Sequence, residues 1–288
     1  MKGLNNADIK FMRTKLSVLT CLNLVKVWLP WKYSVLFQAL LIVPVLLFSQ
    51  EENSIESSHC FSFETVNNQV KENILIPKTN IGQGIELSYK FEIERNSLNE
   101  FIFSTGYCKL KTKLETDKVT WNVQVNAGYL WGKNLLAGEK FRYYLGAEVF
   151  YHWSVMEYPV WDESRAYWGS VISTGLFNRI KLLFNEKNIL ISSLCLDLAG
   201  LCSRPDDIRL YAQEEWTLSN IIRITNSGFS FNTLNNYFMC SLRNEYRVSL
   251  KKDFCFSLCN SIIYSSISEI HGQSLQSIRI GFGISLGF

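Results

Sequence analysis

His152-Trp153-Ser154, with Glu148 four residues earlier, is the one run in this 288-residue chain whose residue types could build a nucleophile. Alternate side chains of an extended strand share a face, so Glu148, His152 and Ser154 fall on one side and Tyr151 and Trp153 on the other. That spacing brings an imidazole within reach of a hydroxyl, with a carboxylate to orient the ring, as a base-activated serine requires. The plainer reading is a histidine bonded to Glu148 for structure alone. We take that as the expectation, and with it a protein that is not an enzyme. No glycine-rich phosphate loop, His-Glu-x-x-His pair, Gly-x-Ser-x-Gly elbow or calcium loop occurs. His59 and His271 fall in segments read as loops, with no partner legible in the sequence.

The eight cysteines do not suggest metal chemistry. Cys108, Cys195, Cys240 and Cys255 stand singly in strand-like runs, where a thiol packs as a small hydrophobe. Cys255-x3-Cys259, and Cys195 with Cys202, lack the paired spacing and nearby histidines of a zinc site. The expectation is no metal and no cofactor, with a Cys195–Cys202 bridge across a turn left open.

The elements that would position these residues are strands. Val119, Trp121, Val123, Val125, Ala127, Tyr129 and Trp131 alternate with Thr120, Asn122, Gln124, Asn126 and Gly128. The next run sets Tyr143, Leu145, Ala147, Val149, Tyr151 and Trp153 against Arg142, Gly146, Glu148, His152 and Ser154. Such runs exceed the ~9–11 residues that cross a bilayer at a tilt, whereas soluble strands average ~5–6. Their apolar faces carry aromatics near both ends, so Trp121, Tyr129, Trp131, Tyr143, Tyr151 and Trp153 are candidate members of an interfacial girdle. The opposite faces carry Glu86, Lys90, Glu92, Glu94, Arg142, Glu148, Arg243, Glu245, Arg247 and Arg279. Charges taken out of water must pair, so these residues predict an Arg–Glu network inside a narrow lumen, or else a charged ring lining a small pore.

The last eleven residues alternate without a break, with Ile278, Ile280, Phe282, Ile284, Leu286 and Phe288 apolar and the positions between them Arg, Gly or Ser. A terminal strand ending on Phe resembles the last strand of Gram-negative outer-membrane β-barrels. The resemblance spans about residues 83–288 through alternation, aromatics and the C-terminal Phe. It implies that Phe282, Leu286 and Phe288 form the insertion signal read by the barrel assembly machinery, and that outer-membrane lipid is the other partner. His152-x-Ser154 is also similar to the His-x-Ser arrangement of outer-membrane lipid A deacylases, which implies lipid hydrolysis as an alternative activity. The fold expected is all-β, a transmembrane up-and-down antiparallel barrel of about ten strands, with eight as the alternative. The function expected is a small pore, or an envelope-structural or surface-interaction protein. A secreted soluble barrel holding an apolar ligand is the remaining alternative, and it requires apolar side chains inside and charges outside.

Ahead of the barrel, residues 1–50 read as a leader. Residues 33–49 form its apolar core, shorter than a spanning helix and broken by Pro44. A signal peptide is the expectation, with export through the inner membrane to the outer membrane. The leader carries a balance of +5, which leaves −2 of the total +3 for the remainder. The body is therefore not basic, and no nucleic-acid partner is expected. Residues 51–82 read as an irregular periplasmic segment. Residues 208–232 fit one strand, a short helix followed by a strand, or a long excursion.

Overall fold

The computed structural model describes residues 56–72, 79–112, 119–157, 166–203, 217–251, 254–268 and 274–288. The leader, its apolar core at 33–49, the loop at 158–165 and residues 204–216 lie outside them. Eleven strands form one antiparallel sheet: β1 (Glu56–Glu72), β2 (Thr79–Glu94), β3 (Ser97–Thr112), β4 (Thr120–Ala137), β5 (Phe141–Glu157), β6 (Ala166–Leu183), β7 (Asn188–Ser203), β8 (Ser230–Thr233), β9 (Tyr237–Lys251), β10 (Phe254–Ser268) and β11 (Ser274–Gly287). Consecutive strands pair in a meander, and β1 pairs β11 while β7 pairs both β6 and β9. The sheet therefore closes on itself as a ten-stranded barrel. Closure removes the open edges that lipid could not satisfy. The short β8 pairs β7 at Ala199–Cys202, just beyond the stretch where β9 takes over, so β8 and β9 together act as one staved position.

The count of ten is the expected one, but its members differ. Residues Glu56–Glu72 are a barrel strand and not an irregular segment. β1 pairs β2 from Glu56 to Lys71 and β11 from Cys60 to Glu72, closing the ring. Its outer face mixes Phe61 and Phe63 with Thr65, Asn67 and Gln69, so the apolar alternation is muted although the inward set is regular. Within 208–232, the described part is a helix, α1 (Leu218–Thr225), followed by β8. The Thr217 hydroxyl accepts from the Asn220 amide at 3.3 Å, capping the helix start. The Asn226-Ser227-Gly228 turn is as expected, with Gly228 at φ 67°, a conformation glycine reaches at no steric cost.

The barrel is inside-out relative to a soluble protein. Phe282 is 58 % exposed and Glu92 only 4 %. Ile81, Leu87, Val149, Leu176 and Ile284 also stand on the exposed outer wall, while Glu100, Lys90, Arg179 and Glu245 are buried inside. This polarity excludes the soluble barrel with an apolar interior. On the outer wall the Asn244 amide donates to the Asn260 side-chain carbonyl oxygen at 3.0 Å.

Both ends of the chain's described portion lie at one rim, where β1 begins beside the end of β11. At that rim the connections are short, such as Arg95-Asn96 and residues 184–187. The strands at the other rim are joined by residues 73–78, 113–118, 158–165 and 204–229. Short turns at one rim and longer connections at the other are the usual pattern of transmembrane barrels.

Candidate functional site

The inward side chains form three levels. Nearest the terminal rim is a layer of ion pairs that crosses the lumen. Arg179 of β6 grips Glu100 of β3 with two hydrogen bonds of 2.8 Å and reaches Glu92 of β2 at 3.0 Å. Lys181 contacts Glu92 at 2.7 Å and Glu94 at 2.5 Å, and Arg142 contacts Glu94 at 2.6 Å. From the other side, Lys90 of β2 meets Glu245 of β9 at 2.8 Å, and Glu245 also takes Arg247 at 3.0 Å and the Ser257 hydroxyl at 2.9 Å. β2 is separated from β6 and from β9 by several strands around the ring, so these pairs span the interior. A bidentate Arg–carboxylate bridge also fixes geometry, which a point contact does not.

Above this layer, Arg243 pairs Glu64 at 3.4 Å and Arg279 pairs Glu86. Glu64 also accepts from Ser261 at 2.8 Å, across β11 at the level of Gly281. A Cβ on Gly281 would lie 2.5 Å from the Ser261 hydroxyl and 2.6 Å from the Glu64 carboxylate, so only glycine admits this contact. Farthest from the terminal rim, Val70, Leu110, Met156, Val171, Tyr237 and Leu275 belong to an apolar cluster drawn from β1, β3, β5, β6, β7, β9, β10 and β11. Between the charged and apolar levels lies a cavity of about 210 Å³.

His152, Ser154 and Glu148 all face this cavity. His152 does not pair with Glu148 as the sequence suggested. Its Nδ1 bonds the Asn126 side-chain oxygen at 3.1 Å, and the carboxylate 3.9 Å from its Nε2 is Asp197 of β7. Asp197 in turn accepts from the Tyr237 hydroxyl. Glu148 is 1 % exposed, and neither carboxylate oxygen makes a well-aligned hydrogen bond, although the Cys195 thiol, the Leu196 backbone and Asp197 lie beside it. The site thus joins the named His152 and Glu148 to Asp197, which sequence reasoning missed because Asp197 sits in a strand of irregular alternation. A bulge explains the irregularity: Thr174 pairs Ala199 whereas Gly175 pairs Asp197, leaving Leu198 as an extra residue.

The sequence reading of the charged face also missed Glu64, Glu100, Arg179 and Lys181. Glu64 was lost with β1. Arg179 and Lys181 alternate with Ile180 and Leu182, a signal that period-two reading of that strand could have found. Of the members named from sequence, Glu86, Lys90, Glu92, Glu94, Arg142, Arg243, Glu245, Arg247 and Arg279 join ion pairs, whereas Glu148 has no basic partner among the described residues.

On the outside, Trp121, Tyr129, Trp131, Tyr143, Tyr151 and Trp153 project from the barrel wall. Tyr129 donates to Asn99 at 2.6 Å and Tyr143 accepts from Asn178 at 2.7 Å. Tyr151 and Trp153 are engaged by α1, bonding Asn226 at 2.8 Å and Thr225 at 2.9 Å. His59, read as a loop residue, lies in β1, hydrogen-bonds the Tyr89 hydroxyl at 2.7 Å and stacks on Phe91 and Phe288. Cys195 and Cys202 are not joined to each other by a disulfide. They lie on one extended strand, where seven residues span roughly 23 Å, far beyond disulfide reach.

Closed topology, long strands, an apolar outer wall and a charged interior define a transmembrane β-barrel of the outer-membrane type. No family model matches the chain, and no curated protein matches it. Among solved structures it is similar to the outer membrane protease OmpT from Escherichia coli, at 8 % identity over 83 % of this chain and 99 % of that one, with a TM-score of 0.49. It is also similar to the translocator domain of the autotransporter NalP from Neisseria meningitidis (7 % identity, 89 % and 95 % covered, TM-score 0.40). A third is the attachment invasion locus protein Ail of Yersinia pestis (9 % identity, 81 % and 99 % covered, TM-score 0.27). The class assignment rests on the barrel's own polarity.

Proposed function

We propose that the chain is a non-enzymatic outer-membrane barrel with a sealed lumen, acting as an envelope-structural or surface-interaction protein. The observation that carries this reading is the ion-pair layer that ties β2 to β6 and β9, and β3 to β6, across the interior. A diffusion pore needs a hydrated path. Here the charges neutralise one another, and an apolar constriction lies beyond them, which favours dewetting. Lipid surrounds the apolar wall, and the strand ending at Phe288 is the segment offered to the assembly machinery during export. Lipid hydrolysis gains no support, because His152 faces the lumen, away from the lipid.

Two measurements test the reading. The protein should sediment with outer membranes and migrate faster on gels before heating than after. Reconstituted in planar bilayers, it should give no stepwise conductance, whereas the Arg179→Ala/Lys181→Ala double variant should leak. Regular conductance steps from the unaltered protein, or recovery in the soluble periplasmic fraction, would sink the proposal.

A further inference from the structure

We propose that the lumen cavity binds a small organic ammonium ion, its charged end held by Glu148 and Asp197 and its hydrocarbon portion against the apolar level above. Three observations meet at this place. First, the other carboxylates lining the cavity each have an arginine: Glu64 has Arg243, Glu86 has Arg279 and Glu100 has Arg179. Glu148 and Asp197 have none among the described residues, and the one basic group near them is the His152 imidazole, 3.9 Å from Asp197. Second, both oxygens of Glu148 and the Nε2 of His152 are buried without a well-aligned hydrogen bond, the Cys195 thiol, the Leu196 backbone and the Asp197 carboxyl being the polar groups beside Glu148. Buried acceptors of this kind call for a donor. Third, the backbone is shaped for the pair. Glu148 and Asp197 flank Gly175 in adjacent strands, and a Cβ on Gly175 would collide with the Leu196 carbonyl oxygen at 2.0 Å. With no side chain between them, the two carboxyl groups share one niche.

The ligand's chemistry follows. Two adjacent buried carboxyl groups cannot both carry charge unaided; a cation between them relieves that repulsion, and a primary ammonium supplies three donors to satisfy them. The cavity of about 210 Å³ exceeds a bare ion and admits a short alkyl chain. Met156, Val171, Met239, Ile267 and Leu275 line the remainder, so the ligand is amphipathic.

The test uses n-butylammonium on the full-length folded protein in detergent, with n-butanol and butyrate as controls. Saturation transfer from barrel methyl groups should reach butylammonium, and the thermal midpoint of the heat-sensitive mobility should rise saturably with it. Glu148→Gln and Asp197→Asn should weaken binding by about tenfold or more, as expected on removing one charge of a buried pair. Gel mobility checks that both variants fold. Equal transfer to butanol, an identical midpoint shift from sodium ion, or undiminished binding in both folded variants would overturn the proposal. If a variant fails to fold, saturation transfer to butylammonium but not butyrate still decides on the unaltered protein. The protein is refolded with each compound present, so that a sealed lumen does not exclude it, and conductance reports separately on the seal: a sealed barrel without transfer sinks the site alone, and a conducting barrel that retains the amine sinks the seal alone.

Discussion

Arg179 is the residue on which most of the interior depends. Its guanidinium meets Glu92 and Glu100 and also donates to Ser193 at 2.8 Å, in a setting only 3 % exposed. Arg179→Ala leaves Glu100 with Lys90 at 4.0 Å as its remaining cation. Breaking a buried pair from one side costs about 3–5 kcal/mol, because a charge stays buried alone. Urea unfolding in lipid vesicles should report that loss, and Arg179→Lys should recover only part of it, since ammonium lacks the planar fork. A loss below about 1 kcal/mol would mean the pair is solvated like a surface bridge. On the opposite wall, Ile280 lies near the middle of β11 and faces outward. Ile280→Arg should cost about 2–4 kcal/mol if lipid covers it. The same measurement finding no cost would place that wall in water.

Among the elements, β1 has the most to do and was the hardest to read. It hydrogen-bonds β2 on one side and β11 on the other, and it supplies Glu64 to Arg243. A chain beginning at residue 73 exposes both partner edges, and unpaired backbone is not tolerated in hydrocarbon. It should fail to reach the fast-migrating folded form and should be degraded by added protease. A compact product would mean that β2 and β11 can close the ring themselves. α1 is the contrasting element, a single capped helix whose end is tied to the outer wall through Thr225 and Asn226. Thr225→Val removes the hydroxyl that accepts from Trp153 at 2.9 Å and donates to the Ile221 carbonyl at 2.7 Å, each bond worth about 1 kcal/mol. Faster amide exchange at residues 218–225, with exchange in β5 unchanged, is the expected result.

At the scale of the whole molecule, the barrel places opposite charges in a narrow interior closed by an apolar level, so bulk salt has little access to them. Raising ionic strength from about 0.1 to 1 M shortens the screening length from about 10 to 3 Å, which weakens exposed pairs far more than buried ones. The unfolding midpoint of the reconstituted protein should therefore move little with salt, and a steep fall would indicate a lumen filled with bulk electrolyte. What the chain determines unaided is local: which residues are extended, and which of two faces each side chain takes. Period-two alternation is a property of neighbouring residues, so Phe282 outward and Arg279 inward were legible from eleven residues. Glu56–Glu72 escaped because its outward face is half polar, and Asp197 because one bulged residue shifts the alternation. Which charges meet is a different kind of fact. Arg179 and Glu100 are 79 positions apart. Nothing along the chain relates them until ten strands close in a particular register and order. Closure, which every strand must satisfy at once, made Arg179 a bridge and left Glu148 and Asp197 side by side without one.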